Sequence, residues 1–322
     1  MMKLIPALAA ACVLLASQAH AETVIKIAYT LPVESVMGAG ASAFAEELNK
    51  ALPGKYRVDH QPASKLGGDA DVLKGVQLGT IEMTIVGGGG AISTFVPEVS
   101  VTDLPFLFRD RQHAQAILDG PVGAEILAAF PKHGLVGLAW GEQGMRQITN
   151  SKRAIHTLDD LKGLKLRTPQ SPIYVATFKA LGADVSPMAW PEVFPALQNG
   201  RMDGQENPAP TVVAAKLYEV QKHLTVSNHI YSSGILVISP DFWAEVADAD
   251  KPAFIAAAKA GGKAMRDYVQ KADQEALDTL RSKGMEVGAI SDRDAFVKAV
   301  QPVYDGLDPV LAAYAKRIRE TK

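Results

Sequence analysis

The chain has 322 residues, 48% apolar and 21% charged, a globular composition that fits neither a disordered chain nor a collagen-like fibre. With 33 basic against 35 acidic side chains the formal charge is −2, which excludes the basic footprint of a nucleic-acid binder. A single cysteine, Cys12, excludes disulfides within the chain, Cys-rich zinc sites and iron–sulfur clusters.

Met1-Met2-Lys3 is a short positive start, and Leu4 to Ala16 is almost continuously apolar. Ala19-His20-Ala21 then supplies small residues two apart. This pattern predicts a signal peptide spanning residues 1–21, cut after Ala21. The apolar run is about 13 residues, shorter than the roughly 20 that span a bilayer. A lipoprotein anchored on Cys12 is the weaker alternative, because Ala9 stands where a leucine is usual. No later run is apolar enough to cross a membrane, so the expectation is an exported, periplasmic protein that is not itself membrane-embedded.

The mature chain opens with a strand at Val24–Tyr29, followed by a helix over Gly38–Leu48 with Phe44 and Leu48 on one face. A strand at Tyr56–His60 precedes a turn at Leu66-Gly67-Gly68. Asp69 then reads as the N-cap of a helix ending at Leu78. Ile81–Val86 is a third strand. Two further strands are predicted at Leu135–Trp140 and Arg146–Thr149, and another at Leu164–Thr168, which Pro169 terminates. Ser171–Leu181 reads as a helix, Asp184–Pro187 as a short strand, Pro208–Leu217 as a helix opened by proline, and His229–Ile238 as a strand.

Asp248–Lys283 carries apolar residues near helical period, from Phe254 to Leu280, with Pro252 confined to the first turn. A helix of about 30 residues would be about 45 Å long, more than one small lobe is wide. Gly261-Gly262 weakens it and is a candidate kink. Alternating strands and helices give an α/β fold class. The expected architecture is two lobes tied by this long helix, with a ligand cleft between them. Residues 22–144 plus 233–272 form lobe I, and residues 145–232 plus 273–322 form lobe II.

The chain carries neither a His-Glu-x-x-His nor a Gly-x-Ser-x-Gly motif, and no phosphate loop. Gly87-Gly88-Gly89-Gly90 follows a strand but lacks the third glycine of a dinucleotide fingerprint. It reads as a flexible turn or as a close backbone approach to something in the cleft. The scattered histidines show no metal spacing. Catalytic residues, metal and cofactor are therefore not expected, and the sequence argues for binding. The sharpest site signal is Leu164-Lys165-Leu166-Arg167-Thr168-Pro169, an arginine at the carboxyl end of a strand. Ligands of open α/β sheets gather there, and a guanidinium can grip a carboxylate through two parallel bonds. From the segment alone, an ordinary ion pair remains open.

Several longer segments occur in order. They are Phe44-Ala45-Glu46-Glu47-Leu48, Asp103-Leu104-Pro105-Phe106-Leu107-Phe108, Arg146-Gln147-Ile148-Thr149-Asn150, the Arg167 motif, Pro187-Met188-Ala189-Trp190 and Asp203-Gly204-Gln205-Glu206-Asn207-Pro208. Over nearly all of the mature chain the sequence resembles the periplasmic solute-binding subunits of TRAP transporters, the DctP/SiaP family. The resemblance implies capture of a small organic acid by lobe closure, with small DctQ-type and large DctM-type membrane subunits as partners. It makes Arg167 the selectivity arginine, Arg146 a second one, and Asn207 a carboxylate or hydroxyl partner. It puts Gln170 and Ser171 on the pocket lining, Trp190 on an aromatic wall, and Thr30 and Asp69 at the ligand's far end. Other readings of the residues stay open: Arg146 paired with Glu142, Trp190 as core, Asn207 or Asp69 as helix caps. The glycine run stands where sialic-acid binders of the family carry bulky charged side chains, which argues against sialic acid. If Glu142 and Asp69 both face the cleft, they repel a second carboxylate and accept hydroxyls. The expected ligand is then a hydroxylated monocarboxylate such as a uronate or aldonate, with a C4-dicarboxylate as rival. Outside transport, a binding partner of a sensor and a periplasmic enzyme are the remaining classes.

Overall fold

A computed structural model describes residues 22–88 and 90–321. The signal-peptide segment, Cys12 and Gly89 lie outside the described residues. The described residues form ten strands: β1 (Thr23–Ala28), β2 (Tyr56–Gln61), β3 (Met83–Gly87), β4 (Val136–Asn150), β5 (Lys165–Thr168), β6 (Asp184–Pro187), β7 (Gly204–Pro208), β8 (His223–Val226), β9 (Tyr231–Ile238) and β10 (Glu286–Ala289). They run in the order β2-β1-β3-β9-β4-β7-β5-β6, with β8 between β4 and β10. The β1–β2 and β1–β3 pairs are parallel, as are β5–β6 and β5–β7, and helical crossovers cover the faces.

β4 joins the two halves of this α/β fold. Its residues 136–145 pair with β9, and Arg146–Asn150 pair with β7. The sequence suggests two strands here, Leu135–Trp140 and Arg146–Thr149. Instead the backbone stays extended against β9 and absorbs the mismatch in a register shift between Glu142 and Gly144. Tertiary pairing has overridden local propensity, and the shift changes which face each side chain takes.

The long helix runs unbroken from Lys251 to Ser282, with Pro252 in its first turn. Phe254, Ala258, Met265 and Val269 join one apolar cluster, with Phe44, Ile85 and Leu236. Ala276 and Leu280 join another, with Val193, Leu197 and Val212. The helix thus spans both halves. Its glycines serve close approach. A Cβ on Gly261 would stand 2.8 Å from the Gly40 carbonyl oxygen, and one on Gly262 would stand 2.1 Å from that of Trp140. A larger residue at Gly261 would force the helix off its neighbour Val36–Ala51, and one at Gly262 would force it off β4.

Two cap expectations are corrected. Gly68, not Asp69, is the N-cap of the helix Asp69–Gln77, and Asp71 accepts the Gly68 N–H at 3.0 Å. Asn207 lies within β7 and caps nothing; the following helix, Ala209–Ala214, has Pro208 at its N-cap. β8, β10 and the helices between Arg293 and Glu320 are not among the elements read from the sequence. Among the described residues, no helix is long and apolar enough to cross a membrane.

Candidate ligand-binding site

A cavity of about 40 Å³ lies between the halves, room for roughly two or three waters. Thr30 and Asp69 line it from one half, and Arg146, Arg167, Trp190 and Asn207 from the other. These are six of the nine residues picked out from the sequence. β1 ends at Ala28, which delivers Thr30 to the cavity just beyond the strand, and β5 ends at Thr168 with Arg167 one residue before. Both lie at the carboxyl ends of parallel strands, where such sheets bind ligands.

Three expected residues do not line this cavity. The β4 register shift turns Glu142 away from Arg146 and buries it, with Arg111 Nε 2.8 Å from its Oε1 and Gln115 donating to its Oε2 at 2.9 Å. Past Pro169 the chain swings out. Gln170 is exposed and Ser171 is buried beside a separate surface depression that includes Pro172 and Val175. The Ser171 hydroxyl donates to Asp103 Oδ2 at 3.2 Å, and burial pushes the Asp103 carboxyl well above its usual pKa.

Arg146 is buried and its charge is matched. Nε donates to Glu206 Oε2 at 2.5 Å and Nη2 to Glu206 Oε1 at 2.8 Å, a two-pronged ion pair. Nη2 also reaches Asn207 Oδ1 at 3.1 Å, and Nη1 donates to the Ser232 hydroxyl at 3.2 Å. The guanidinium stacks 5.1 Å from the Tyr174 ring centre. Burial would raise the Glu206 pKa, but Arg146 and a hydrogen bond from His229 hold it below the usual value. Burial in turn depresses the His229 pKa, so neutral His229 donates from Nε2 to Glu206 (3.1 Å) and accepts at Nδ1 from Ser227 (2.8 Å). Neither Glu206 nor His229 was singled out from the sequence. Glu206 sits inside the recognised Gly-Gln-Glu-Asn segment, and that was the one signal available.

Arg167 is held differently. Its Nε and Nη2 both donate to the Met188 carbonyl, at 3.0 and 2.6 Å, and its guanidinium carbon stands 5.7 Å from the Trp190 ring centre. Among the described residues, Arg167 forms no ion pair, and Nη1 has no protein partner. Burial lowers its pKa to about 10, so it stays charged at neutral pH. Facing it is Asp69, whose pKa is pushed up to about 6 by burial, against the pull of Arg167 and a Thr30 hydrogen bond. Because Asp71 takes over the capping of the helix Asp69–Gln77, the Asp69 carboxyl is free for the cavity.

The cavity can therefore grip one carboxylate at Arg167 and accept hydroxyl donors at Asp69. Gly87 and Gly90 are also on its wall, as the reading of the glycine run as a close approach to something in the cleft expects, and so is Gln143, which the sequence did not single out.

Residues 27–308 match the family described as bacterial extracellular solute-binding protein, family 7. A TRAP periplasmic solute-binding protein from Bordetella bronchiseptica, with density interpreted as pantoate, is 44% identical (TM-score 0.89, covering 94% of this chain and 100% of that one). One from Polaromonas bound to D-erythronate is 40% identical (TM-score 0.91, 94% and 99%). One from Sulfurospirillum deleyianum with bound succinate is 30% identical (TM-score 0.88, 94% and 100%). The chain belongs to bacterial extracellular solute-binding protein family 7, the two-lobed proteins that bind small organic acids and work with the membrane subunits of TRAP transporters.

Proposed function

We propose that this chain captures a hydroxylated monocarboxylate, a sugar acid of the aldonate or uronate kind, and hands it to a small DctQ-type and a large DctM-type membrane subunit. One observation carries this reading. Arg146 is matched by Glu206, so Arg167 is, among the described residues, the cavity-lining cation without a carboxylate partner. The ligand's carboxylate docks on Arg167 Nη1, with the free Nη1 proton of Arg146 and the Asn207 amide beside it. Its hydroxyls donate to Asp69 near Thr30, and Trp190 stacks along the chain of carbons. A second carboxylate would meet Asp69 with no cation to receive it.

Capture works by closure. Lobe I (22–144 plus 233–272) and lobe II (145–232 plus 273–322) close over the ligand about the β4 changeover and the long helix. Closing excludes water and strengthens the charge-assisted bonds. The free energy that drives closure is the ligand's differential affinity for the closed form. Export follows cleavage after Ala21. The mass of protein purified from a periplasmic extract tests this; a mature chain beginning elsewhere than Glu22 contradicts it.

The rival reading is a C4-dicarboxylate, which the succinate-bound relative favours. A thermal-shift screen of aldonates, uronates, succinate and malate separates the two. Stabilisation by sugar acids supports the proposal, and stabilisation by succinate or malate alone overturns it.

A further inference from the structure

The described residues of the glycine run, Gly87, Gly88 and Gly90, are not there for an unusual backbone. Gly87, Gly88 and Gly90 all lack the positive φ that makes glycine necessary for conformation. What each lacks is room for a side chain. A Cβ on Gly87 would stand 2.7 Å from Gln143 Oε1 and 3.0 Å from Gln143 Nε2. One on Gly88 would stand 2.1 Å from Ser233 Oγ, and one on Gly90 would stand 2.9 Å from Asp69 Oδ2. Each of these three glycines abuts a polar side chain, and Gln143 and Asp69 line the cavity.

Gln143 is buried, and its orientation follows from Arg146. A guanidinium only donates, so the Ser232 hydroxyl accepts from Arg146 Nη1 at 3.2 Å. Ser232 then gives its own proton to Gln143 Oε1 at 3.1 Å. This fixes the amide with its oxygen toward Ser232. Gln143 lines the cavity, and its Nε2, with two N–H donors, has no hydrogen-bond partner among the described residues.

We propose that Gln143 is a further ligand-recognition residue, aimed through Ser232 by Arg146, and that Gly87 is the position that admits it. The amide donates to the carboxylate or to the adjacent hydroxyl of the ligand. An aldonate offers oxygens there from both groups, so this deepens the sugar-acid reading and rests on it. Replacing Gly87 by any larger residue displaces the amide and changes the ligand range without touching either arginine.

Calorimetry with D-erythronate and D-galactonate tests the proposal on the wild type, Gln143→Ala, Gly87→Ala, the double variant and Arg167→Ala. Losing a buried bond to a charged group weakens binding by roughly ten- to a hundred-fold, which is the loss expected for Gln143→Ala. Gly87→Ala gives a comparable loss, and the double variant is no weaker than Gln143→Ala alone, because the two changes remove one contact. Gln143→Ala within twofold of wild type, while Arg167→Ala abolishes binding, overturns the proposal. If Arg167→Ala binds normally, or neither compound binds the wild type, the monocarboxylate reading falls instead. The inference is then read on the wild-type protein by NMR, with the compound from the screen that stabilises it most. A Gln143 side-chain amide signal that moves on binding supports it, and one that stays in place overturns it. That reading needs no variant to fold.

Discussion

Two arginines face the same cavity in opposite circumstances. Arg146 sits in a finished network: a carboxylate grips it from two sides, His229 steadies that carboxylate, and Tyr174 covers its face. Arg167 has a carbonyl oxygen and an aromatic ring, and among the described residues no carboxylate within ion-pair distance, with Asp69 facing it across the cavity. Counting arginines suggests a site for two carboxylates, whereas counting uncompensated charge gives one. A buried pair such as Arg146–Glu206 contributes shape and donors rather than net charge, and the unpaired guanidinium sets the valence of the ligand.

The largest effect expected from breaking this contrast is at Glu206. Glu206→Gln leaves Arg146 buried and unpaired, which costs about 3–5 kcal/mol of stability. Chemical denaturation measures it. The surviving folded protein should gain affinity for succinate relative to D-erythronate, because a second free cation now faces the cavity. Removing the other arginine acts on binding. Arg167→Ala should cost about 2–5 kcal/mol, taking a micromolar ligand to roughly millimolar or weaker. Near wild-type affinity by calorimetry contradicts the assignment. A smaller loss, about 1 kcal/mol, is expected from Trp190→Leu, which keeps apolar cover but removes the cation–π contact.

The smallest effect sharpens the picture through pH. The folded-state pKa of Asp69 is raised from 3.8 to about 6, so the folded protein holds that proton more tightly than the unfolded chain does. Its contribution to stability is fully present below about pH 3.8 and is lost as pH rises through about 6. Asp69→Asn should flatten the stability profile across that window. A ligand hydroxyl that donates to Asp69 favours the ionised form, so binding near pH 5.5 should release a proton. Calorimetry in two buffers of different ionisation enthalpy reads that release, and proton uptake contradicts the role given to Asp69.

Much of this was legible in the sequence where one residue or a regular pattern carries the information. Arg167 before Pro169 announces a strand end, and the apolar repeat from Phe254 to Leu280 announces the long helix. Legibility failed where partners come from elsewhere in the chain. The sequence offers Glu142 as a cleft residue or a partner of Arg146, and the register shift between Glu142 and Gly144 in β4 turns it away from both. The Asp69 cap was misread because Asp71, two residues on, does that job. Gly261-Gly262 suggested a kink and proved to be a contact surface against Gly40 and Trp140. Gln170 and Ser171 followed the right motif but lie past the turn that Pro169 makes. None of these outcomes depends on local propensity; each depends on what packs against the residue.

The site offers one cation without an ion-pair partner and a hydroxyl acceptor opposite it. The most direct test of this is a calorimetric comparison of two four-carbon acids at pH 7.5, D-erythronate and succinate, on the wild-type protein. D-erythronate should bind at least a hundred-fold more tightly, a difference of about 2.7 kcal/mol. Succinate binding as tightly as D-erythronate, or more tightly, would contradict it.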